Sequence, residues 1–183
     1  MTVTALIVAA GSGSRMGGDI PKQFRTIAGK SVLAHAVDAL ASHPAIDAVR
    51  VVVGQGQNGL ARQALGDRDV GKLIVGGTER ADSVRAGLSA VETDVILVHD
   101  AARPFCPHGV IDRLLEALQS TDGAVPVLQV ADTLARANGM LGEPIDRSGA
   151  VRVQTPQAFR LASLVDAYAR WSAEAPTDEA GTA

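Results

Sequence analysis

Two groups of residues in this sequence have the types and spacing to handle phosphates. The first is Ala9-Ala10-Gly11-Ser12-Gly13-Ser14-Arg15-Met16-Gly17-Gly18, followed by Pro21-Lys22-Gln23. Glycines let a backbone come close to a ligand and turn its N–H groups toward anionic oxygens. Arg15 and Lys22 add two cations that could hold a polyphosphate and offset charge that builds up during transfer. The second group is His99-Asp100-Ala101-Ala102-Arg103-Pro104. One carboxylate at the exit of an apolar run suits a hard cation such as magnesium, which shares its shell with phosphates and water. Arg103 can meet a second anion, and His99 reads as a structural histidine with its ring satisfied. A weaker signal is Gly76-Gly77-Thr78-Glu79-Arg80-Ala81-Asp82-Ser83-Val84. Gly76 and Gly77 offer backbone to a flat ligand, and Asp82 or Ser83 offers hydrogen bonds, although both could simply fill a helix's first turn.

These groups need elements to hold them. Short apolar runs without clean polar alternation occur at 4–8, 49–53, 72–75, 95–98 and 124–130. Such runs read as strands buried on both faces. Between them, Val32, Leu33, Ala36, Val37 and Leu40 fall at i, i+1, i+4, i+5 and i+8, and Val110, Ile111, Leu114, Leu115 and Leu118 repeat the spacing. Each set makes one helical stripe, and two more helices are expected over 81–91 and 161–171. Alternating strands and helices imply an α/β fold with a mostly parallel sheet and helices on both faces. Ligands of such sheets sit beyond the strands' carboxyl ends, which is where the three groups fall. Residues 130–153 break the alternation. They read as strands over 131–137 and 150–154, joined by a loop with Asn138-Gly139 and Gly142 to Pro144. A two-stranded ribbon is marginal alone, so this arm is expected to pack on a partner subunit. Asp132-Thr133 and Asp146-Arg147 would face each other on it; by spacing alone they read as a solvated surface.

Composition removes several classes. The chain has 183 residues, 17 Lys and Arg against 20 Asp and Glu, and a net charge of −3. A slightly acidic chain lacks the basic face of a nucleic-acid backbone binder. Three Phe, one Trp and one Tyr are too few for a base-stacking platform. The single cysteine, Cys106, can make neither an internal disulfide nor a cysteine zinc site, and a nucleophilic role for it has no support. No apolar run approaches the roughly 18 residues of a membrane span. The four histidines, His35, His43, His99 and His108, lack metal-ligand spacing. A dinucleotide fingerprint would need glycine where Met16 stands. Gly29-Lys30-Ser31 mimics the end of a P-loop, but the first glycine would fall at Phe24; Ser31 instead opens the next helix. The expectation is a single cytoplasmic, bacterial-type enzyme domain over 1–183.

Taken in order, Ala9-Ala10-Gly11-x-Gly13-x-Arg15-Met16, Pro21-Lys22-Gln23, Gly77-x-x-Arg80-x-Asp82-Ser83-Val84, His99-Asp100-Ala101-Ala102-Arg103-Pro104 and Gln154-Thr155-Pro156-Gln157 closely resemble the 2-C-methyl-D-erythritol 4-phosphate cytidylyltransferase family of the non-mevalonate isoprenoid pathway. The match runs from residue 4 to residue 179. It implies a Rossmann-like nucleotidyltransferase domain, magnesium, and a homodimer with exchanged arms over 131–154. The implied reaction moves CMP from CTP to methylerythritol 4-phosphate and releases pyrophosphate. By position, Arg15 and Lys22 match the catalytic pair that holds the triphosphate and stabilises the transition state. Ala9, Ala10, Gly11, Gly13, Gly77, Ser83 and Ala101 match the CTP site, and Asp100 matches both that site and the metal ligand. Arg103, Thr133 and Arg147 match residues beside the sugar phosphate, the last two from the partner's arm. The alternatives are a ribitol 5-phosphate cytidylyltransferase of the same fold and an inactive nucleotide-binding fragment.

Two departures stand out. Val8 replaces the family's usual proline. Pro176-Thr177-Asp178-Glu179-Ala180 resembles a late family motif after which the fold normally continues, through a strand and an active-site lysine. The chain is therefore expected to be the amino-terminal part of a longer or bifunctional enzyme, with weak or no turnover by itself.

Overall fold

The computed structural model describes residues 1–11 and 20–171. The chain runs β1 (Val3–Ala9), a turn of 3-10 helix (Lys22–Phe24), β2 (Thr26–Ile27), β3 (Lys30–Ser31), α1 (Val32–Ala41), β4 (Ala48–Val53), α2 (Asn58–Leu65), β5 (Ile74–Val75) and α3 (Arg80–Leu88). It continues with β6 (Val95–Asp100), α4 (His108–Ala117), β7 (Gly123–Ala124), β8 (Val127–Gln129), β9 (Leu134–Ala137), β10 (Leu141–Ile145), β11 (Val151–Val153), β12 (Gln157–Arg160) and α5 (Leu161–Arg170).

The main sheet has six strands in the order β5-β4-β1-β6-β12-β7. β4 and β6 flank β1 in parallel, and β5 lies parallel to β4. β12 is antiparallel to both β6 and β7. The expected mostly parallel α/β sheet is therefore present, with one reversed strand that the apolar pattern did not reveal.

Successive residues of the central strands enter opposite cores. Ala5, Ile7, Val51, Val53 and Leu97 pack with α1, α2 and α4, whereas Leu6, Val52, Ile96 and Val98 pack with α3 and α5. This two-sided burial is why the strands read as continuous apolar runs. Ser31 caps α1 by accepting the Ala34 N–H at 3.0 Å. Just before it, Ala28 (φ 49°) and Gly29 (φ 79°) take the left-handed conformations of a tight β2–β3 hairpin turn. That turn explains the false P-loop signature.

The arm differs from the expectation. Residues 131–137 do not pair with 150–154. Instead β8 pairs with β11 (Val127 opposite Val153, Val151 opposite Gln129), and β9 pairs with β10. The run expected as one strand over 124–130 is split between β7 in the main sheet and β8 in the arm. Asn138-Gly139 is the turn, with Gly139 at φ 91°, but Gly142 to Pro144 belong to β10, where the register shifts. Asp132-Thr133 and Asp146-Arg147 lie between the two ribbons rather than on facing strands. There Arg147 Nη1 donates to the carbonyls of Val130, Ala131 and Asp132, so one guanidinium replaces the ladder bonds missing at the break.

Candidate active site

From β1 the chain steps outward to β4 and β5, then crosses back to β6 on the other side of β1. That reversal opens a crevice at the carboxyl ends of β1 and β6. The loops that follow these strands face one cleft of about 1100 Å³.

Ala9, Ala10 and Gly11 form one wall. Gln23, which is buried, spans them from the 3-10 turn: its Nε2 donates to Ala9 O at 2.7 Å and Gly11 O at 2.8 Å. The preceding residue, Lys22, is exposed into the cleft. The opposite wall is the turn between β5 and α3. A Cβ on Gly76 would lie 2.5 Å from Ser83 Oγ, and one on Gly77 would overlap Asp82 Cβ, so only glycines allow the helix to start this close. Asp82 Oδ2 accepts the Glu79 N–H at 3.4 Å, which is the helix-turn role weighed for it. Ser83 faces the cleft and donates to Glu79 O at 3.1 Å.

The floor is the end of β6. Asp100 Oδ1 accepts from Arg80 Nη2 at 3.2 Å and Nε at 3.3 Å, and its Oδ2 accepts from Arg103 Nε at 3.3 Å. Arg103 Nη1 also donates to Gln154 Oε1 at 2.5 Å. Ala101 N–H donates to Val8 O at 3.1 Å and stitches β6 to β1. His99 is fully buried, and that burial pushes its pKa down and keeps the ring neutral. It is the satisfied structural histidine the sequence suggested. Cys106 is buried too, and its thiol is pushed up to about 11, which fits the absence of a nucleophilic role.

The cleft thus brings together Ala9, Ala10, Gly11, Lys22, Gly77, Ser83, Asp100, Ala101 and Arg103 of the expected residues. Gly13, Arg15 and the 176–180 motif lie outside the described residues. Thr133 and Arg147 sit on the arm and do not line this cleft. Sequence reasoning assigned no role to Arg80, Gln23, Thr155 or Gln157, although each stood inside a quoted motif. The Gly54-Gln55-Gln57 turn after β4 also lines the cleft and had no signal, because it carries no charge.

Among the described residues, no group of three His, Cys, Asp or Glu could hold a metal alone. The donor set does fit a hard cation held mostly by a ligand's phosphates: one carboxylate about 33% exposed at the cleft floor, with no soft ligand lining the cleft among the described residues.

Such a switch-point cleft, lined by a tight backbone wall, by Lys22, Arg80 and Arg103, and by the carboxylates of Glu79 and Asp100, is the kind that α/β nucleotide-binding domains present. The family model described as IspD: 2-C-methyl-D-erythritol 4-phosphate cytidylyltransferase matches residues 3–183, and the chain belongs to that family. It is 56% identical over 183 residues to the Bifunctional enzyme IspD/IspF of Rhizorhabdus wittichii, covering 100% of this chain and 48% of the relative. It is 47% identical over 180 residues to the 2-C-methyl-D-erythritol 4-phosphate cytidylyltransferase of Deinococcus radiodurans, covering 97% and 74%. The crystal structure of the cytidylyltransferase of the same name from Thermus thermophilus superposes with a TM-score of 0.80 at 35% identity, over 100% of this chain and 83% of that one. The chain spans about half the length of the first curated relatives it matches.

Proposed function

We propose that this chain carries the cytidylyltransferase activity of its family: CMP transfer from CTP to 2-C-methyl-D-erythritol 4-phosphate, within isoprenoid biosynthesis in the cytoplasm. The observation that carries the reading is the meeting of Lys22, Arg103 and Asp100 with the Ala9–Gly11 and Gly76–Gly77 backbone in one cleft.

The 4-phosphate oxygen is already anionic, so its attack requires no general base. It forms a bond to the α-phosphorus of CTP in line with the bond that breaks, and pyrophosphate leaves with that electron pair. The protein's work is positioning and charge compensation. Lys22, joined by Arg15, meets the triphosphate as charge builds on its oxygens. Ser83 and the backbone at Ala9, Ala10, Gly11, Gly13 and Gly77 hold the nucleoside, with carbonyl and N–H groups matched to the cytosine edge. Arg103 meets the sugar phosphate. Asp100 would hold magnesium, which when bound would supply positive charge to offset that on the phosphate oxygens. Arg80 and Arg103 pair with the Asp100 carboxylate at the cleft floor, so magnesium would share it with them. The arm, apolar and exposed, supports a homodimer in which Thr133 and Arg147 of one protomer serve the other's cleft. Neither nucleic acid nor a membrane is a partner in this reading.

Pyrophosphate release from CTP and magnesium tests the reading, with methylerythritol 4-phosphate, ribitol 5-phosphate or no acceptor. Release that requires methylerythritol 4-phosphate supports it. A preference for ribitol 5-phosphate would favour the other acceptor, and equal binding of all nucleoside triphosphates without release would overturn the cytidylyl reading.

A further inference from the structure

His99 lies at the heart of the cleft floor yet touches none of its open space, and both ring nitrogens are engaged. Nε2 is 2.9 Å from the carbonyl oxygen of Arg103. A carbonyl only accepts, so Nε2 carries the proton and donates. In the Nε2–H tautomer that this bond selects, Nδ1 bears a lone pair. The Thr155 hydroxyl, 3.1 Å away, therefore donates to it. Thr155 Oγ1 in turn accepts the backbone N–H of Asp100 at 3.2 Å.

The hydrogen bonds run one way: from the Asp100 N–H to Thr155 Oγ1, from the Thr155 hydroxyl to His99 Nδ1, and from His99 Nε2 to the Arg103 carbonyl. The relay begins and ends on Asp100 and Arg103, two of the residues whose charged side chains face the cleft. Its middle lies 56 positions along the chain from His99, in a segment that follows β11 directly. Arg103 Nη1 on Gln154 Oε1 is a second tie between the same segments. A buried ring that merely filled space would need neither its direction nor its two partners.

We propose that His99 is a positioning residue of this site. Its Nε2–H tautomer fixes the backbone at Asp100 and Arg103 and aims the Thr155 hydroxyl away from the cleft, so that the arm's return strand and the phosphate-binding floor keep one register. What is positioned depends on the cytidylyl-transfer reading; the relay itself does not.

Two measurements on the 183-residue chain decide it. Imidazole nitrogen NMR of wild type reads the tautomer: Nε2 protonated and Nδ1 bare is expected, and Thr155→Val should move the Nδ1 resonance while leaving Nε2 in place. An Nδ1–H tautomer, or an Nδ1 indifferent to Thr155→Val, overturns the relay. Calorimetric titration of magnesium and CTP then gives a double-mutant cycle. His99→Phe and Thr155→Val should each weaken binding about tenfold, and together no more than either alone, because both break one chain. Thr155→Ser should stay within about twofold, since it keeps the hydroxyl. Where turnover is measurable, kcat/KM should fall in step with binding in Thr155→Val and be kept in Thr155→Ser. Additive losses, or wild-type binding by both single variants, overturn the proposal. If His99→Phe does not fold, Thr155→Val against Thr155→Ser decides the same question. If wild type shows no preference for CTP, the functional reading falls, and the tautomer measurement still judges the relay.

Discussion

The Gln23 side chain donates to two carbonyls at once, Ala9 O at 2.7 Å and Gly11 O at 2.8 Å, and so fixes the direction in which the chain leaves β1. Gln23 is 3% exposed, so water is a poor substitute for it. Leaving buried acceptors unpaired costs on the order of 1–3 kcal/mol. Gln23→Met should therefore lower the Tm and weaken CTP binding. Gln23→Glu should do worse, because it sets a carboxylate against two carbonyl oxygens. Thermal melting and CTP titration of both variants check the order; a Gln23→Glu protein with wild-type Tm would refute it.

Asp100 shows a different balance. Its two oxygens are occupied by Arg80 and Arg103, and the pairs are partly exposed, so each is worth at most about 1 kcal/mol. Magnesium held at Asp100 would have to compete with these guanidiniums. Arg80→Gln frees Oδ1 and should lower the magnesium concentration that half-saturates the nucleotide complex by about two- to fivefold. Asp100→Asn should raise it by at least about tenfold. Magnesium titrations at fixed CTP separate the two. A higher magnesium requirement in Arg80→Gln would mean that Arg80 holds the carboxylate in place rather than competing for it.

Much of this was legible in the sequence. Strands buried on both faces cannot alternate, so the runs at 49–53 and 95–98 gave away a parallel sheet, and the sheet gave away the edge where ligands bind. α2 escaped notice because only Ala61 and Leu65 are buried on it, too few for a stripe. β12 escaped because Gln157 and Arg160 interrupt its apolar character, although register with β6 buries Gln157 completely. The arm's pairing was misread for a physical reason: strand pairing is decided by partners far along the chain, and the break at Arg147 leaves no local mark. Candidate ligands that carry charge were found from type and spacing. Neutral residues that aim them, such as Gln23 and Thr155, show their purpose only through geometry.

Acid stability should report on Asp38. It accepts from Arg68 Nε at 2.5 Å, from Arg68 Nη2 at 2.9 Å and from Lys30 Nζ at 2.6 Å, tying α1 to β3 and to the loop after α2. Arg68 foremost, helped by Lys30, outweighs the opposing effect of burial and holds its pKa down to about 2, against 3.8 for the free carboxyl. A depressed carboxyl stabilises the fold fully above the unfolded value and loses that contribution as pH falls through the folded one. The loss should therefore fall between about pH 4 and pH 2. The pair is 38% exposed at Asp38, so solvent screening keeps its contribution to about 1 kcal/mol or less. Asp38→Asn should lower the Tm at pH 7 and flatten its decline below about pH 4. An unchanged slope would assign acid sensitivity to other carboxylates.

The arm makes the sharpest demand on assembly. Leu141 is 88% exposed and Met140 78% exposed on ribbons of two strands each, a size that is marginally stable in water. Val127, Leu128, Ile145 and Val151 extend the exposed apolar surface along the same arm. A second copy covering it would bring Thr133 and Arg147 to a cleft that their own chain does not let them reach. Complementation tests this directly. In a dimer with exchanged arms, Lys22→Ala would disable the cleft of its own protomer, and Arg147→Ala would disable the arm that protomer lends. Each variant should be nearly inactive alone. Mixed and allowed to exchange, half of the dimers are hybrids, and each hybrid pairs one intact cleft with one intact arm. Activity should return to about a quarter of wild type. Leu141→Glu, which places a charge on the apolar tip, should shift sedimentation toward monomer and prevent that recovery while leaving CTP binding within about twofold. If the mixture stays inactive although the dimer persists, Arg147 acts within its own chain, and the carbonyls of Val130, Ala131 and Asp132 are the whole of its role.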